Sequence, residues 1–254
     1  MIYERIQKGR FLKRPNRFIA KIEINGKEET VHVKNTGRCA ELLVPGAEVL
    51  VQKSESAERK TGWDLIGVRK ADRLINMDSQ VTNKVVQEWI EDGRWFKDVK
   101  VVRPEVTYKN SRFDLYVEYE EKKAFIEVKG VTLEEEGVVR FPDAPSERAV
   151  KHLKELEAAV QDGYEAYVFF VVQMKGVRYF TPNRRTHKEF ADVLAEAAGN
   201  GVQVIAKDCF VTEDSIAIAD EVPVVLTNHS FMKHRSCLWN GTESGNGICR
   251  GDIM

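Results

Sequence analysis

The sequence lacks any run of about 18 apolar residues, so it predicts no membrane-spanning helix. Its first residues, MIYERIQKGRF, have no apolar core of the kind found in a secretory signal. The four cysteines are too few and too scattered for a disulfide scaffold, and none forms a closely spaced zinc-binding pair. These absences predict a reduced, cytoplasmic protein with no membrane partner.

The sequence also lacks a glycine-rich nucleotide loop and a Ser/His/Asp nucleophile set. This argues against a small-molecule enzyme of sugar metabolism, and no small-molecule cofactor is expected. Charge is plentiful but uneven: residues 1–75 hold 16 basic and 10 acidic residues, whereas the remainder holds 23 and 30. The basic excess at the front indicates a polyanionic partner, although two solvated surfaces of different charge would look the same.

Short alternating segments at the front of the chain predict a small β-barrel. In RFIAKIEI the apolar residues fall on one face, and the Asn25-Gly26 pair that follows is typical of a type I′ hairpin. The segments ETVHV, AEVLVQ and DLIGVRK supply further strands. We therefore predict an OB-like, nucleic-acid-binding barrel over residues 1–78.

Strands then alternate with amphipathic helices, which predicts an α/β domain with a mixed sheet over residues 79–226. The helices are TNKVVQEWIED, SERAVKHLKELEAAVQDG and THKEFADVLAEAAGNG. Residues 227–254 have no periodicity and predict a disordered or non-native tail. Its histidines and cysteines fit no common zinc spacing; they are His229, His234, Cys237 and Cys249.

The stretch FIEVKG places charge on a strand that otherwise looks buried. Side chains alternate along a strand, so Glu127 and Lys129 share one face while Ile126 and Val128 pack inward on the other. In the preceding strand, SRFDLYVEY, Asp114 lies opposite its apolar neighbours. A two-residue loop at 120–121 would set Asp114 against Glu127, and a four-residue loop at 120–123 would set it against Lys129. Either register brings the three charged side chains together.

Two carboxylates and a lysine at this spacing suit phosphodiester chemistry. Asp114, Glu127 and the Val128 carbonyl could bind Mg²⁺ or Mn²⁺, and Glu88 from the preceding helix could complete the shell. Lys129 could orient or deprotonate a water, or stabilise the transition state. The alternative is a cross-strand salt-bridge cluster, with Glu88 as an ordinary solvated helix residue.

The chain resembles the sugar fermentation stimulation protein family (SfsA). The resemblance rests on HVKNTGRCAELLVPG, SRFDL, EVKG, FPDAPSERAVKHLKEL and VPVVL, and it runs over residues 1–226. It implies an N-terminal OB fold, a C-terminal PD-(D/E)xK nuclease-like domain, DNA binding and a link to the regulation of maltose metabolism. It also gives Asp114, Glu127 and Lys129 the acid, acid and lysine places of the nuclease motif, although Phe113 stands where proline is usual.

Basic residues interleaved with aromatic ones on the barrel predict a nucleic-acid track. Phe11 and Phe18 could stack on bases, or both could belong to the barrel core, and Cys39 is expected to be small, buried and unreactive. The predicted DNA-contacting residues are Arg10, Arg14, Arg17, Lys34, Asn35, Arg38, Arg112 and Lys151.

The helix SERAVKHLKELEAAVQDG and the strand after it supply candidates for the rim of the site. Glu147 and Lys151 could touch phosphate or a metal-bound water, or form an ordinary helix-surface ladder, and His152 is expected to be packed rather than a base. Gln173 could contact substrate. The sequence thus predicts a DNA-binding protein with a Mg²⁺-dependent nuclease site, or a non-catalytic DNA-binding regulator that retains the nuclease fold.

Overall fold

The computed structural model describes residues 1–35, 37–54 and 59–226. The predicted tail at 227–254 lies outside these residues. Within the described part of the chain, no helix is long and apolar enough to cross a membrane.

Among the described residues of the N-terminal domain there are six strands, and five of them close into a barrel because Lys27–Val33 pairs with both Ile19–Ile24 and Trp63–Lys70. Asn25 and Gly26 have positive φ values of 51° and 76°, which confirms the predicted hairpin turn. The OB-like barrel is therefore confirmed. The strands are β1 (Ile6–Asn16), β2 (Ile19–Ile24), β3 (Lys27–Val33), β4 (Glu48–Lys53), β5 (Trp63–Lys70) and β6 (Arg73–Asn76).

The second domain alternates strands and helices. Its elements are α1 (Val81–Glu91), β7 (Val99–Tyr108), β8 (Ser111–Tyr119), β9 (Lys122–Val131), β10 (Leu133–Glu135), β11 (Val138–Phe141), α2 (Glu147–Gln161), β12 (Glu165–Val172), β13 (Tyr179–Pro182), α3 (Lys188–Gly199), β14 (Gln203–Val211) and β15 (Ile216–Glu221). The large sheet is mixed, with the strand order β15-β14-β12-β9-β8-β7, and a small sheet is formed by β10, β11 and β13. The parallel core β9-β12-β14 is flanked by antiparallel strands at both edges.

Helices cover both faces of the large sheet. Helix α1 packs with Ile126 and Val128 on one face, while α2 and α3 pack with Phe125 and Phe170 on the other. The prediction that Ile126 and Val128 face inward is confirmed. Helix α2 packs on the opposite face of β9, and Glu127 on that face is only 2% exposed.

The two domains share one core. Buried barrel residues such as Phe11 and Ile22 belong to the same cluster as Leu153 of α2 and Phe170 of β12. Between the domains, Lys70 donates to the Glu134 carboxylate at 2.8 Å. This continuous packing holds loops of the barrel over one end of the α/β sheet.

Candidate metal centre

The hairpin of β8 and β9 sets the register of the predicted charged residues. Tyr119 pairs with Lys122 across a two-residue turn, and the ladder continues to Leu115 opposite Ile126. Of the two predicted registers, the structure has the one that points Asp114 toward Glu127. The ladder ends just before this pair, so the hairpin opens where the carboxylates begin.

Beyond the end of this ladder, the Asp114 side chain accepts a hydrogen bond from the backbone of β9. Its Oδ2 accepts from the backbone N–H of Val128 at 2.7 Å, and its Oδ1 accepts from Asn83 Nδ2 at 2.8 Å. Burial raises the pKa of Asp114, and the nearby Glu127 raises it further, against the opposing pull of Lys129. The carboxyl is thus held in place while its charge is disfavoured, a state that a bound cation would relieve.

The two carboxylate oxygens of Glu127 differ, because one accepts hydrogen bonds and the other does not. Its Oε1 accepts from Lys129 Nζ and from His152 Nδ1. Its Oε2 is buried and has no hydrogen-bond partner within the described residues. Burial alone would raise the pKa of Glu127, but Lys129 and His152 outweigh it and hold the pKa below its usual value. A buried, ionised carboxylate oxygen without a partner is suited to a cation.

His152 fixes the orientation of Glu127. Arg148 Nε donates to His152 Nε2 at 3.4 Å, which places the ring proton on Nδ1, where it donates to Glu127. The histidine is 4% exposed and packs near Phe113, so it is a packed residue, as predicted. Its bond to Glu127 was not foreseen from the sequence.

The carboxylates open into a cavity of about 550 Å³ between the barrel and the α/β domain. Arg17, Asn35 and Gly37 line it from the barrel side. The cavity therefore combines an acidic centre with a basic rim, which suits a cation and an anionic ligand together. Its charged lining residues are Arg17, Asp114, Glu127, Lys129, Arg140, Asp143 and Arg148.

The donor set fits a hard divalent cation. Asp114 and Glu127 Oε2 offer carboxylate oxygens, which Mg²⁺ and Mn²⁺ prefer, and no thiol or free imidazole competes among the described residues lining the cavity. Val128 also lines the cavity, and its predicted carbonyl ligand stays a prediction.

Both domains of the chain match known protein families. Residues 12–77 match the family model described as the SfsA N-terminal OB domain, and residues 80–215 match the sugar fermentation stimulation protein RE domain. The chain belongs to the sugar fermentation stimulation protein family. The resemblance inferred from the sequence motifs is thereby confirmed.

Sugar fermentation stimulation protein homologues align with this chain over nearly their full length. The homolog from Clostridium beijerinckii is 62% identical and covers 89% of this chain and 100% of its own length. The homolog from Desulfitobacterium hafniense DCB-2 is 60% identical, with 89% and 99% covered. The solved structure of Pyrococcus furiosus SfsA in complex with Ca²⁺ has a TM-score of 0.81 and 27% identity, covering 89% of this chain and 98% of that one.

Two predicted site residues of this family member lie elsewhere: Glu88, a predicted metal ligand, and Gln173, a predicted substrate contact. Glu88 accepts from the N-terminal ammonium of Met1 at 2.7 Å and does not line the cavity. It follows Asn83 by five positions, about 140° around the helix at 3.6 residues per turn, so the two cannot face the same site. Gln173 is fully buried and donates to Asn76 Oδ1 and the Asp78 carbonyl, both at 2.9 Å. Gln173 therefore joins the domains rather than contacting substrate.

Three predicted DNA-contacting side chains are engaged inside the protein. The Arg14 guanidinium donates to four backbone carbonyls, at distances of 2.6 to 2.9 Å, and so holds the loop that follows β3. Lys34 lies 3.3 Å from both Asp64 and Asp78. Asn35 is 8% exposed and accepts from the Gly37 N–H at 2.9 Å. We reassign Arg14 and Lys34 to holding this region, because backbone carbonyls and carboxylates already engage their charged groups. Asn35 shapes the turn at Gly37 and lines the cavity.

The other predicted DNA contacts remain exposed. Arg17 lines the cavity and lies over the Phe18 ring, with 4.7 Å from its guanidinium carbon to the centroid. Arg10 and Arg38 are exposed on the barrel, and Arg10 donates to the Gly46 carbonyl at 3.4 Å. Arg112 and Lys151 lie with Glu147 at a neighbouring cavity, so Glu147 does not touch the metal centre.

The barrel aromatics and Cys39 divide between core and surface. Phe11 is 2% exposed and belongs to the core, whereas Phe18 is 46% exposed and available for stacking. Cys39 is buried as predicted, and burial raises the pKa of its thiol to about 12, so it is no nucleophile.

Sequence reasoning missed several residues at the centre. Asn83 holds Asp114, and Asp143 accepts from the Cys39 N–H at 2.9 Å, which ties the barrel loop to the segment before α2. Arg140 and Arg148 complete the basic rim. Arg148 carried a usable signal, because it precedes His152 by four positions and so shares its helix face.

Proposed function

We propose that the protein is a divalent-cation-dependent nuclease that binds DNA in the cavity between its two domains. The observation that carries this proposal is that Asp114 and Glu127 line one cavity together with several basic residues, and that Glu127 Oε2 has no hydrogen-bond partner among the described residues. The Ca²⁺ found in the Pyrococcus furiosus relative supports a cation in this family. The family model for residues 80–215, described as an RE domain, is consistent with nuclease ancestry.

Asp114 and Glu127 would hold the cation, Mg²⁺ or Mn²⁺ by their ligand chemistry. When bound, the cation would polarise the phosphodiester and lower the pKa of an attacking water. The protein's own contribution is a fixed geometry: Asn83 and the Val128 N–H hold Asp114, while His152 holds Glu127. These contacts fix the two carboxylates before the cation binds, so little side-chain conformational freedom is lost on binding.

Lys129 is the residue best placed to act on the substrate. Its side chain is 15% exposed, contacts Glu127 and lines the cavity. An ammonium there can stabilise the negative charge that develops on the phosphate oxygens, and it can orient the attacking water. Arg17, Arg140 and Arg148 line the same cavity and would bind neighbouring phosphate oxygens.

The test is cleavage of single- and double-stranded DNA by the purified protein with Mg²⁺ or Mn²⁺. Lys129→Ala is expected to reduce the cleavage rate by about 100-fold or more, the range seen when one charge-stabilising donor is lost. Lys122→Ala is the matched control, because Lys122 lies on the same strand but pairs with Glu165 at the far end. Equal cleavage by wild type and Lys129→Ala would contradict the role of Lys129 and the nuclease site proposed around it.

A non-catalytic DNA-binding protein is the second candidate. It is favoured by the ion pair between Lys129 and Glu127, because this contact already engages the ammonium group that catalysis would use. The same assay separates the two: DNA binding without cleavage, under both cations and with both substrates, would support the binding protein and end the nuclease proposal. The role in regulating sugar metabolism that the family name evokes would then rest on binding alone.

A further inference from the structure

A second cavity of about 440 Å³ adjoins the metal centre beside α2. The turn between β7 and β8 lines one side of it and the first turns of α2 line the other. We propose that this cavity binds a second phosphate of a nucleic-acid backbone, next to the one at Asp114 and Glu127. The inference rests on the proposed function and names its substrate class: a polynucleotide, not a mononucleotide or another phosphomonoester.

The charge of this cavity fits a phosphate. Arg112, Arg148 and Lys151 line it with a single acidic residue, Glu147. The Glu147 carboxylate is 83% exposed and lies 3.6 Å from His187 Nε2, so solvent screens it. The lining itself therefore carries three cations and one screened carboxylate, while Glu105 and Glu155, which do not line the cavity, approach Arg112 and Lys151 at 3.6 and 3.8 Å. This excess of cations on the cavity wall favours an anion there.

The cations retain donors that no described residue uses. Lys151 has three N–H donors and gives one to the Asn110 carbonyl at 2.6 Å, while its nearest carboxylate, Glu155, is 3.8 Å away. Arg112 is 58% exposed, and its ion pair with Glu105 spans 3.6 Å, beyond hydrogen-bond range. Arg112 and Lys151 can therefore bind a phosphate without losing a short hydrogen bond or ion pair.

Arg148 joins this cavity to the metal centre. It lines both cavities, and its Nε is held by His152, which in turn holds Glu127. Arg148 and Lys151 are three positions apart on α2 and so share one helix face. Successive phosphates of one strand could thus lie at the metal centre, at Arg148 and at Lys151. An isolated phosphomonoester would leave the second cavity unused.

The closing experiment measures binding of a single-stranded DNA of about 16 nucleotides, the upper site size of one OB fold, by fluorescence anisotropy in chelator. Salt is varied for wild type and for the double variant Arg112→Ala/Lys151→Ala. Two lost phosphate contacts should lower the log–log salt slope by about 1.4. Affinity at about 0.1 M salt should fall about tenfold. Lys154→Ala, an exposed lysine of α2 outside the cavity, should leave the slope within about 0.7 of wild type.

The outcomes separate this inference from the proposed function. If wild type binds but the double variant keeps the wild-type slope, the second phosphate site is overturned while the nuclease proposal stands. If wild type binds no DNA, the DNA-binding function falls and this site with it. The thermal unfolding midpoint reports on folding, and Arg112→Gln/Lys151→Gln replaces the double variant if the alanines unfold the protein.

Discussion

At the residue scale, Asp114 carries a conflict between burial and charge. Its raised pKa means that the folded state favours the protonated acid, so its stabilising contribution is present at low pH and is lost as the pH rises through the folded-state pKa. Near neutral pH the ionised carboxylate, close to Glu127, therefore costs stability. A cation between the two carboxylates would reverse that cost.

The first prediction follows for Asp114→Asn. Rotating the Asn83 amide would satisfy the new side chain, so the cation-free variant should be at least as stable as wild type at neutral pH. Wild type should gain about 2.7 kcal/mol when Mn²⁺ is about 100 times its Kd. This corresponds to a rise in Tm of roughly 5 to 10 °C. The variant should gain almost nothing by differential scanning fluorimetry, whereas the exposed Asp92→Asn should respond like wild type.

The second prediction concerns pH. Protons compete with the cation for Asp114, whose pKa is raised, so cation affinity should fall at a pH above that of an ordinary aspartate. Glu127, with its lowered pKa, should stay ionised through that range. Calorimetric titration of Mn²⁺ at a series of pH values measures this. If the Mn²⁺ affinity stays constant as the pH is lowered to the usual pKa of an aspartate, the assignment of Asp114 as a ligand is contradicted.

Alternation along two strands was enough to find Asp114, Glu127 and Lys129, because a strand has a fixed two-residue period. It could not find Asn83 or the bond from His152 to Glu127, since these depend on how helices pack on the sheet. The same limit explains the misplaced Glu88. A helix presents many polar residues, and only its rotation in the packed fold decides which one faces the site.

At the element scale, the opened end of the β8–β9 hairpin creates the centre, and Gly130 lies just beyond it on β9. A Cβ at Gly130 would lie 2.5 Å from Gln173 Oε1 and 3.2 Å from the Thr82 methyl group. The close approach of Gln173 to this strand therefore requires glycine. The predicted strand ran to Gly130, but nothing in its pattern indicated which neighbour would press against it.

The third prediction is a matched pair of glycine substitutions. Gly130→Ala should destabilise the protein by about 1 to 3 kcal/mol through overpacking. Gly199→Ala, at the end of α3 with open space around it, should be neutral or stabilising by about 0.5 to 1 kcal/mol. Urea unfolding measures both. A neutral Gly130→Ala would show that Gln173 and α1 move aside easily.

Element prediction succeeded where periodicity was strong and failed at edges. The three helices and the strands β8 and β9 follow their predicted patterns. The edge strand β7 was not predicted, because its charged residues and Pro104 obscure the alternation. Proline cannot donate to the ladder, so Pro104 fits a strand at the sheet edge. The short strands β10, β11 and β13 were missed because three or four residues carry too little pattern.

At the scale of the whole molecule, the site depends on both domains. Arg14 and Asp143 fix the loop after β3 from opposite sides, and that loop forms part of the cavity wall. The sequence predicted both folds but not their relative placement, since docking depends on tertiary contacts such as Lys70 with Glu134. The predicted DNA contacts on the barrel therefore divide into loop-holding residues, Arg17 at the cavity, and Arg10 and Arg38 exposed outside it.

The fourth prediction is that the two domains unfold together. Their buried residues form one cluster, so loss of either domain would expose the core of the other. Differential scanning calorimetry should show a single transition whose calorimetric and van't Hoff enthalpies agree. Two separate transitions would contradict the shared core and would imply that the cavity between the domains opens independently.

The measurement that tests the central claim most directly is anomalous diffraction from crystals soaked in Mn²⁺. The account predicts a peak in the cavity, bound by Asp114 and Glu127 Oε2 at about 2 Å, the distance expected for carboxylate ligands of a small divalent cation. The peak should vanish in Glu127→Gln crystals. A soaked wild-type crystal with no density between these two carboxylates would contradict the account.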